Sequence, residues 1–309
     1  MISIGNFGKK SKSDYIIAAW GTFPNPDIQT KTMLNVTDHS RDSAGLKYIY
    51  PVISRRAGGV SIGINLNVNN ACNWACIYCQ VPDLTRGAPP PVDLMRLESE
   101  LDGFLDAVVN GDYLARNAPP EARQLMDVAF SGNGEPTSAP EFTAAVDCVA
   151  QVLARYGLLQ TLTLRLITNG SLLHRPGVRD GIARIGSHGG EVWFKLDRAT
   201  SAGMEQVNGI KLPLHRVAAN LSACADLADT WVQTCWFAID GQEADEAEIQ
   251  AYLSLIESVR QKIKGVHLYG LARPSLQPGA THLSNLTREA FTRFARRIES
   301  LGVPVIANP

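Results

Sequence analysis

Six short runs of apolar and β-branched residues recur along the chain, each the length of a buried strand. They cover residues 60–68, 127–132, 163–170, 191–197, 231–240 and 265–272. Between them, apolar residues recur at the three- and four-residue spacing of an amphipathic helix. The clearest helical stretches contain Leu94, Leu97, Leu101, Phe104, Leu105 and Val108, then Phe142, Val146, Val149 and Leu153, then Leu214, Val217 and Leu221. Strand and helix therefore alternate.

This alternation predicts an α/β fold with a parallel sheet, because repeated βα units of roughly 30 to 40 residues pack with right-handed crossovers. Six units are too few to close an eight-stranded barrel. We therefore predict a partial (βα)6 TIM-like barrel with a lateral mouth. Its chemistry is expected at the carboxyl ends of the strands, where such sheets hold their ligands.

The barrel core is expected to occupy residues 59–275, after a less regular accessory segment at 1–58. In that segment, "LKYIYPVISRRAGG" suggests a short strand or a loop over the mouth. The last stretch, 276–309, predicts one more helix and strand packed on the core, with Thr287 as the helix cap and Gly302 as its stop.

Composition describes a globular chain without a charge bias. Hydrophobic residues fill 45% of 309 positions, and 29 Lys and Arg balance 30 Asp and Glu. No whole-chain attraction to RNA or to an anionic membrane is expected, although a local basic patch stays open. The chain shows no signal peptide and no segment long enough to span a membrane, so we expect a cytoplasmic protein. In that reducing compartment its six cysteines stay free thiols.

Three cysteines stand close together in "NACNWACIYCQ", directly after the first predicted strand. Cys72, Cys76 and Cys79 have the spacing C-x3-C-x2-C, which places three thiols on one loop. Structural zinc requires four ligands, and the nearest histidines are His39 and His174. A cubane iron–sulfur cluster normally has four cysteine ligands, so three would leave one iron open to an outside ligand.

Other interpretations of the three cysteines stay open. They are a zinc-stabilised binding module, an iron–sulfur electron carrier without catalysis, and ordinary packing in the core. The polar neighbours Asn70, Asn73 and Gln80 argue against packing. An open iron favours catalysis over electron storage.

With the aromatic Tyr78 directly before the third cysteine, the motif resembles the cluster loop of the radical S-adenosylmethionine (radical SAM) superfamily. The resemblance implies one 4Fe–4S cluster on Cys72, Cys76 and Cys79, with S-adenosylmethionine (SAM) as the second cofactor. In that family SAM chelates the fourth iron, and an electron from the cluster cleaves SAM to methionine and a 5'-deoxyadenosyl radical. An external low-potential electron donor of the flavodoxin or ferredoxin type is also implied.

The family's second motif is a Gly-Gly-Glu-like turn after the second strand, and "SGNGEPT" matches it. Asn133 lies between Gly132 and Gly134, a variant that resembles the Gly-Glu-Pro-Thr turn of the branch related to wyosine-type transfer-RNA enzymes. The resemblance implies that these residues and Glu135 bind SAM, since glycines admit a close ligand and carbonyl or carboxylate oxygens accept from its ammonium group. By itself, such a sequence is typical of a simple turn.

Polar residues also follow the third and fourth predicted strands. The resemblance implies that Thr168 and Asn169, in "TNG", bind the ribose or the carboxylate of SAM. Lys195 and Asp197, in "KLD", would lie at the same end, with Lys195 offsetting the carboxylate. Taken singly, the first pair is typical of a turn and the second of a solvated strand end.

The sixth predicted strand, "HLYGLARP", resembles the family's adenine-contacting segment. The resemblance implies that backbone groups from Leu268 to Leu271, including Gly270, pair with the base edge. Tyr78 would pack on the face of the base, or would serve as an ordinary core aromatic.

The fifth predicted strand offers a further candidate, because alternate residues of a strand face opposite sides. Either Gln233, Cys235 and Phe237 or Thr234 and Trp236 line the interior. An inward Cys235 could donate a hydrogen atom to a substrate radical, and packing is its other interpretation.

A radical SAM enzyme acting on a small molecule is the function we favour. Arg86, Arg273 and the Arg55–Arg56 pair are candidate anchors for an anionic substrate, or solvated loop charges. One alternative is transfer-RNA base modification like that of the wyosine enzymes, against which the lack of basic excess argues. The other is activation of a partner enzyme by glycyl hydrogen abstraction. Either a monomer or a homodimer is expected.

Overall fold

A computed structural model describes residues 33–35, 41, 43–54 and 58–309. Its strands are β1 (Ile49–Ser54), β2 (Gly59–Ile64), β3 (Ala71–Cys72), β4 (Thr85–Arg86), β5 (Leu125–Phe130), β6 (Thr163–Thr168), β7 (Glu191–Lys195), β8 (Asp229–Cys235), β9 (Ala238–Ile239), β10 (Gly265–Tyr269), β11 (Leu283–Ser284) and β12 (Val305–Asn308). Eight of them form one sheet in the order β1-β2-β5-β6-β7-β8-β10-β12. Two small sheets join β3 to β4 and β9 to β11.

Helices connect most of the sheet strands. They are α1 (Leu94–Val109), α2 (Tyr113–Asn117), α3 (Phe142–Arg155), α4 (Pro176–Ser187), α5 (Ser201–Asn208), α6 (Leu214–Ala225), α7 (Glu246–Val259) and α8 (Arg288–Glu299). Within the described ranges, no helix is long and apolar enough to cross a membrane.

The sheet is parallel from β2 through β12, and β1 pairs antiparallel with β2 at one edge. It curls into an open partial barrel, so the predicted α/β architecture is confirmed. Each of the six predicted runs overlaps one strand of the sheet, and these strands are β2, β5, β6, β7, β8 and β10. The helix and strand expected near the end of the chain are α8 and β12, and the Thr287 hydroxyl accepts a hydrogen bond from the backbone N–H of Ala290 (3.2 Å).

The two faces of the sheet differ in chemistry, because side chains alternate along each strand. On β5, Val128 and Phe130 are fully buried in the hydrophobic core under the helices. Asp127 and Ala129, from the same strand, line the interior of the barrel, as Arg165 does on β6. The outer face therefore stabilises the fold, and the inner face is free to carry a site.

The first predicted run, 60–68, is longer than β2, which ends at Ile64. The Asn65 side-chain oxygen accepts hydrogen bonds from the backbone N–H groups of Asn67 (3.2 Å) and Asn133 (3.1 Å). The Asn67 amide donates to the Ala71 carbonyl (2.9 Å). These local bonds turn the chain out of the strand directly before the three cysteines.

Gly63 on β2 allows the edge strand to pack closely, because a Cβ there would overlap the Tyr50 ring. The Tyr50 hydroxyl lies 2.7 Å from the Ser131 hydroxyl, which fixes the ring over the glycine. We expect Gly63→Ala to lower the free energy of unfolding by about 1–3 kcal/mol through overpacking. Urea denaturation measures this against Gly279→Ala, where a Cβ meets nothing within 4 Å. Equal stabilities of the two variants would contradict the packing argument.

Candidate functional site

A chamber of about 500 Å³ lies inside the curled sheet and gathers most of the predicted site. The predicted residues that line it are Cys72, Cys76, Tyr78, Cys79, Gly132, Asn133, Gly134, Glu135, Asn169, Lys195, Cys235 and Gly270. Three others, Thr168, Asp197 and Leu268, are buried behind the wall of the chamber, with at most 1% of their surface exposed. The carboxyl ends of successive strands therefore meet around one space, as the parallel topology requires.

The three cysteines occupy one loop, which we call the cysteine loop (residues 72–79). Cys72 ends β3, and the backbone N–H of Cys79 donates to the Cys76 carbonyl (3.0 Å), which closes a turn between the second and third thiols. Burial raises the pKa of Cys72 to about 11. Burial, together with the nearby charge of Asp197, raises the pKa of Cys76 to about 12.

The donor set of the cysteine loop fits a cubane cluster. Its three cysteines are half-buried and line the same chamber, which gives three of the four ligands that such a cluster takes. Across the described part of the chain, no group of three or more His, Cys, Asp or Glu converges on a single metal ion. Ligands of a cubane each bind a different iron, so their sulfur atoms do not have to converge on one point.

Two glycines let the turn after β5 pack against the cysteine loop. Gly132 has φ 136°, and a Cβ there would overlap the side-chain oxygen of Asn65. A Cβ at Gly134 would overlap the Ala71 carbonyl and crowd the Asn67 amide. The backbone of this turn therefore lies against the residue before Cys72, at a distance that only glycine permits.

The Glu135 carboxylate joins the turns after β5 and β6. Its Oε1 accepts from the Thr137 N–H (3.2 Å), the Thr137 hydroxyl (2.6 Å) and the Thr168 hydroxyl (2.6 Å), and its Oε2 accepts from the Asn169 N–H (2.7 Å). Burial raises the pKa of Glu135, and these hydrogen bonds oppose the rise. The Asn169 amide in turn donates to the Asn73 side-chain oxygen (2.8 Å), which ties both turns to the cysteine loop.

Asp197 holds Tyr78 in place from behind. Its Oδ2 accepts from the Tyr78 hydroxyl (2.6 Å) and the Asn208 amide (2.7 Å), and its Oδ1 accepts from the Cys235 N–H (2.9 Å). Burial and the Asp197 charge raise the pKa of Tyr78 well above its ordinary range, so the hydroxyl stays a donor. Asp197 thus fixes an aromatic ring that lines the chamber, and its own carboxylate lies outside that lining.

Lys195 places a positive charge in the chamber wall. Its Nζ lies 3.4 Å from the Tyr269 hydroxyl and 5.2 Å from the centre of the Tyr78 ring. Burial works to lower the pKa of Lys195, but the nearby Tyr269 and Asp197 outweigh it and raise the pKa. The ammonium group is therefore charged at neutral pH and available to an anionic group in the chamber.

The residues expected to contact adenine, at the end of β10, differ in whether they reach the chamber. Leu268 is fully buried between β8 and β12, whereas Gly270 and Leu271 line the chamber. The Gly270 N–H donates to the Asn308 carbonyl (3.0 Å), and both backbone groups of Leu271 bond to the Asn285 side chain (2.6 and 3.1 Å). Ligand contact at this end would therefore fall to Gly270 and Leu271.

The fifth predicted strand, now β8, turns Gln233 and Cys235 toward the chamber. Thr234 and Trp236 face the helices, where the Thr234 hydroxyl lies 2.7 Å from that of Tyr252. Burial raises the pKa of Cys235, so its sulfur is a thiol at neutral pH. Its role as a hydrogen-atom donor stays a prediction.

Sequence reasoning missed a polar network nearer the amino ends of the strands. Arg165 donates to the carboxylates of Asp127 and Glu191, and its guanidinium lies 4.3 Å from the centre of the Trp193 ring. The Ser61 hydroxyl donates to Asp127 as well. The available signal was a charged residue inside an otherwise apolar strand, as Arg165 is in "TLRLIT".

The candidate arginine anchors separate in the structure. Arg86 donates to the carbonyls of Asn73 (2.7 Å) and Gly209, so it holds the cysteine loop against the end of α5. Arg273 lines the chamber. The Arg55–Arg56 pair lies outside the described residues.

Comparison with solved structures finds this fold at low sequence identity. A structure of TYW1 with a lysine–pyruvate adduct bound is 16% identical with a TM-score of 0.51, over 79% of this chain and 74% of that one. A radical SAM methyltransferase from Sphaerobacter thermophilus is 14% identical with a TM-score of 0.56, over 84% of this chain and 68% of that one.

Comparison of the sequence with known proteins identifies no family. No protein-family model matches the chain. Among curated proteins, GTPase Obg from Brachyspira hyodysenteriae is 24% identical over 132 residues, and the chain covers only 17% of its length. The sequence contains no G-x4-G-K-S/T phosphate-binding motif, so the GTPase activity does not transfer with this likeness.

The sheet is an open parallel barrel, its carboxyl edge surrounds a chamber with three clustered thiols, and both solved structures share its topology across most of the chain. The chain has the fold of the radical SAM enzymes.

Proposed function

We propose that this chain is a radical SAM enzyme that cleaves SAM reductively and acts on a small-molecule substrate. The observation that carries the proposal is the cysteine loop, whose three thiols face a chamber at the carboxyl ends of parallel strands. Three protein ligands leave one iron of a cubane cluster for an outside ligand. When bound at Cys72, Cys76 and Cys79, a 4Fe–4S cluster would supply the electron that breaks the sulfonium bond of SAM.

The residues around the cysteine loop suit the parts of SAM. Charged Lys195 would offset the carboxylate, and backbone carbonyls of the turn at 132–135, which lines the chamber, would accept from the ammonium group. Tyr78, fixed by its hydrogen bond to Asp197, would form a flat wall for the base beside Gly270. These assignments are supported by their joint placement on one chamber.

A small substrate is favoured by the volume and lining of the chamber. About 500 Å³ falls within the range of small-ligand sites, roughly 300–1,000 Å³. Apart from the residues assigned above to SAM, the lining includes Asp127, Arg165, Gln233 and Cys235. These side chains can donate and accept hydrogen bonds inside a shielded space. A transfer-RNA substrate has less support, because the chain carries a net charge of −1 and so has no overall electrostatic attraction to RNA.

The non-enzymatic alternatives do not explain why the protein has this chamber. An electron carrier or a zinc-stabilised module needs neither a cavity of this size nor a charged, half-buried lysine in its wall. An external low-potential electron donor is part of the proposal, since the cluster must be reduced before each cleavage. We place the protein in the cytoplasm, where thiols stay reduced.

SAM cleavage tests the proposal directly. The protein is reconstituted anaerobically with iron and sulfide, reduced with dithionite and supplied with SAM, and 5'-deoxyadenosine is measured by chromatography. We expect product from the wild-type protein and none from Cys76→Ala, which lacks one of the three thiols. A wild-type protein that carries a full cluster and yields no more product than Cys76→Ala would remove the enzyme hypothesis.

A further inference from the structure

We infer that Asn208 is a positioning residue that hydrogen-bonds the Cys76 sulfur and raises the reduction potential of the cluster bound there. The inference rests on the proposed function in one respect only, which is that the cysteine loop holds a cluster. It does not depend on SAM cleavage or on the identity of the substrate. It concerns a side chain distant from the cysteines in sequence, at the end of α5.

The Asn208 amide has a fixed geometry. Its Nδ2 lies 3.3 Å from the Cys76 Sγ and 2.7 Å from the Asp197 Oδ2, so one amide group donates to both. Only 1% of the Asn208 surface is exposed, which excludes water as a competing acceptor. Asp197 is itself held by Tyr78 and Cys235, so the acceptor that orients the amide cannot move away.

Backbone hydrogen bonds also hold the cysteine loop against the end of α5, independently of the Asn208 amide. The Ala75 N–H donates to the Asn208 carbonyl (3.1 Å), and the Ile77 N–H donates to the Val207 carbonyl (2.9 Å). Gly209, with φ 64°, ends the helix in the left-handed conformation and leaves these last carbonyls for the loop. Both neighbours of Cys76 are thus hydrogen-bonded to α5, which holds the sulfur within reach of the amide.

The expected effect follows from charge. A hydrogen bond to a thiolate sulfur stabilises the more negative, reduced cluster more than the oxidised one, and such bonds are among the features that set iron–sulfur potentials. Asn208 supplies a side-chain donor to one sulfur of the cysteine loop, that of Cys76. Cys72 receives a backbone N–H instead, from Trp74 (3.4 Å), which substitution does not remove.

A potentiometric titration followed by electron paramagnetic resonance tests the inference. We expect Asn208→Ala and Asn208→Leu to lower the midpoint potential of the cluster. Poised at the wild-type midpoint potential, each variant should have a ratio of reduced to oxidised cluster about threefold to tenfold lower than the wild type has. A tenfold lower ratio corresponds to a shift of about 59 mV for a one-electron couple. Asn220→Ala is the control, because its amide donates to the Gly170 carbonyl (2.9 Å) and touches no sulfur. Its ratio should equal that of the wild type.

Other outcomes of this titration would each overturn the inference. Midpoints of both Asn208 variants equal to the wild type, with full iron content, would overturn the tuning role and leave SAM cleavage untouched. Failure of both variants to fold or to take up the cluster would overturn it too, since Asn208 would then only shape the loop. A wild-type protein that assembles no cubane would overturn this inference and the proposed function together.

Discussion

Arg165→Met is expected to lower the free energy of unfolding by about 3–5 kcal/mol, because it leaves a buried carboxylate without its counter-charge. The Asp127 side chain is 2% exposed and that of Arg165 12%, so water screens this ion pair only weakly. The Ser61 hydroxyl would remain as a donor to Asp127. Methionine keeps apolar contact with Trp193, so the loss reports charge more than packing.

Urea denaturation with a surface control measures this effect. Arg116→Met breaks an ion pair with Asp112 whose side chains are 68% and 66% exposed, and it should cost at most about 1 kcal/mol. Adding Asp127→Asn to Arg165→Met should recover part of the loss, about 0.5–3 kcal/mol of coupling, since the buried charge is then removed. Equal losses in Arg165→Met and Arg116→Met would show that the network contributes nothing beyond a surface pair.

Glu135→Ala should destabilise the chain by about 3 kcal/mol, because buried donors lose their acceptor at about 1–3 kcal/mol each. The N–H groups of Thr137 and Asn169 cannot rotate to another partner as the two hydroxyls can. Glu135→Gln should fall between wild type and Glu135→Ala. Its carbonyl can serve the donors at Oε1, but its NH2 group then meets the Asn169 N–H, and two donors repel.

Thermal and urea unfolding order these variants. Glu246→Gln is the matched control, because the Glu246 side chain is 64% exposed and pairs with Arg297 on the surface. It should lie within about 1 kcal/mol of wild type. A Glu135→Gln variant as stable as wild type would show that Glu135 is already protonated in the fold, and would contradict the picture of a carboxylate that accepts from four donors.

The strands and helices of the core were predictable because their signal is local. Apolar side chains at helical and strand spacing mark the faces that the structure buries, as on α3 and β5. The edge strand β1 was left open between strand and loop. It contains Pro51, which a strand tolerates at the edge of a sheet, and only its pairing with β2 decides the conformation.

The site was predictable where its chemistry lies in one short segment. Cys72, Cys76 and Cys79 carry their spacing in the sequence, so the cysteine loop was found from the sequence alone. Which side chains of β8 face the chamber could not be predicted, since both alternating sets of residues were consistent with the sequence. Arg165 and Asn208 were missed because their partners lie on other elements, and no local pattern marks a residue that acts across the fold.

The contacts between the cysteine loop and the end of α5 bear on how the protein is made. Asn208 and Cys76 are 132 residues apart, and the backbone bonds from Ala75 and Ile77 span nearly the same distance along the chain. A nascent chain that has not yet emerged as far as Gly209 therefore carries three thiols without the support that shapes their loop. Under the proposed function, iron–sulfur insertion is therefore expected only after the unit formed by β7 and α5 has folded, late in synthesis or after release from the ribosome.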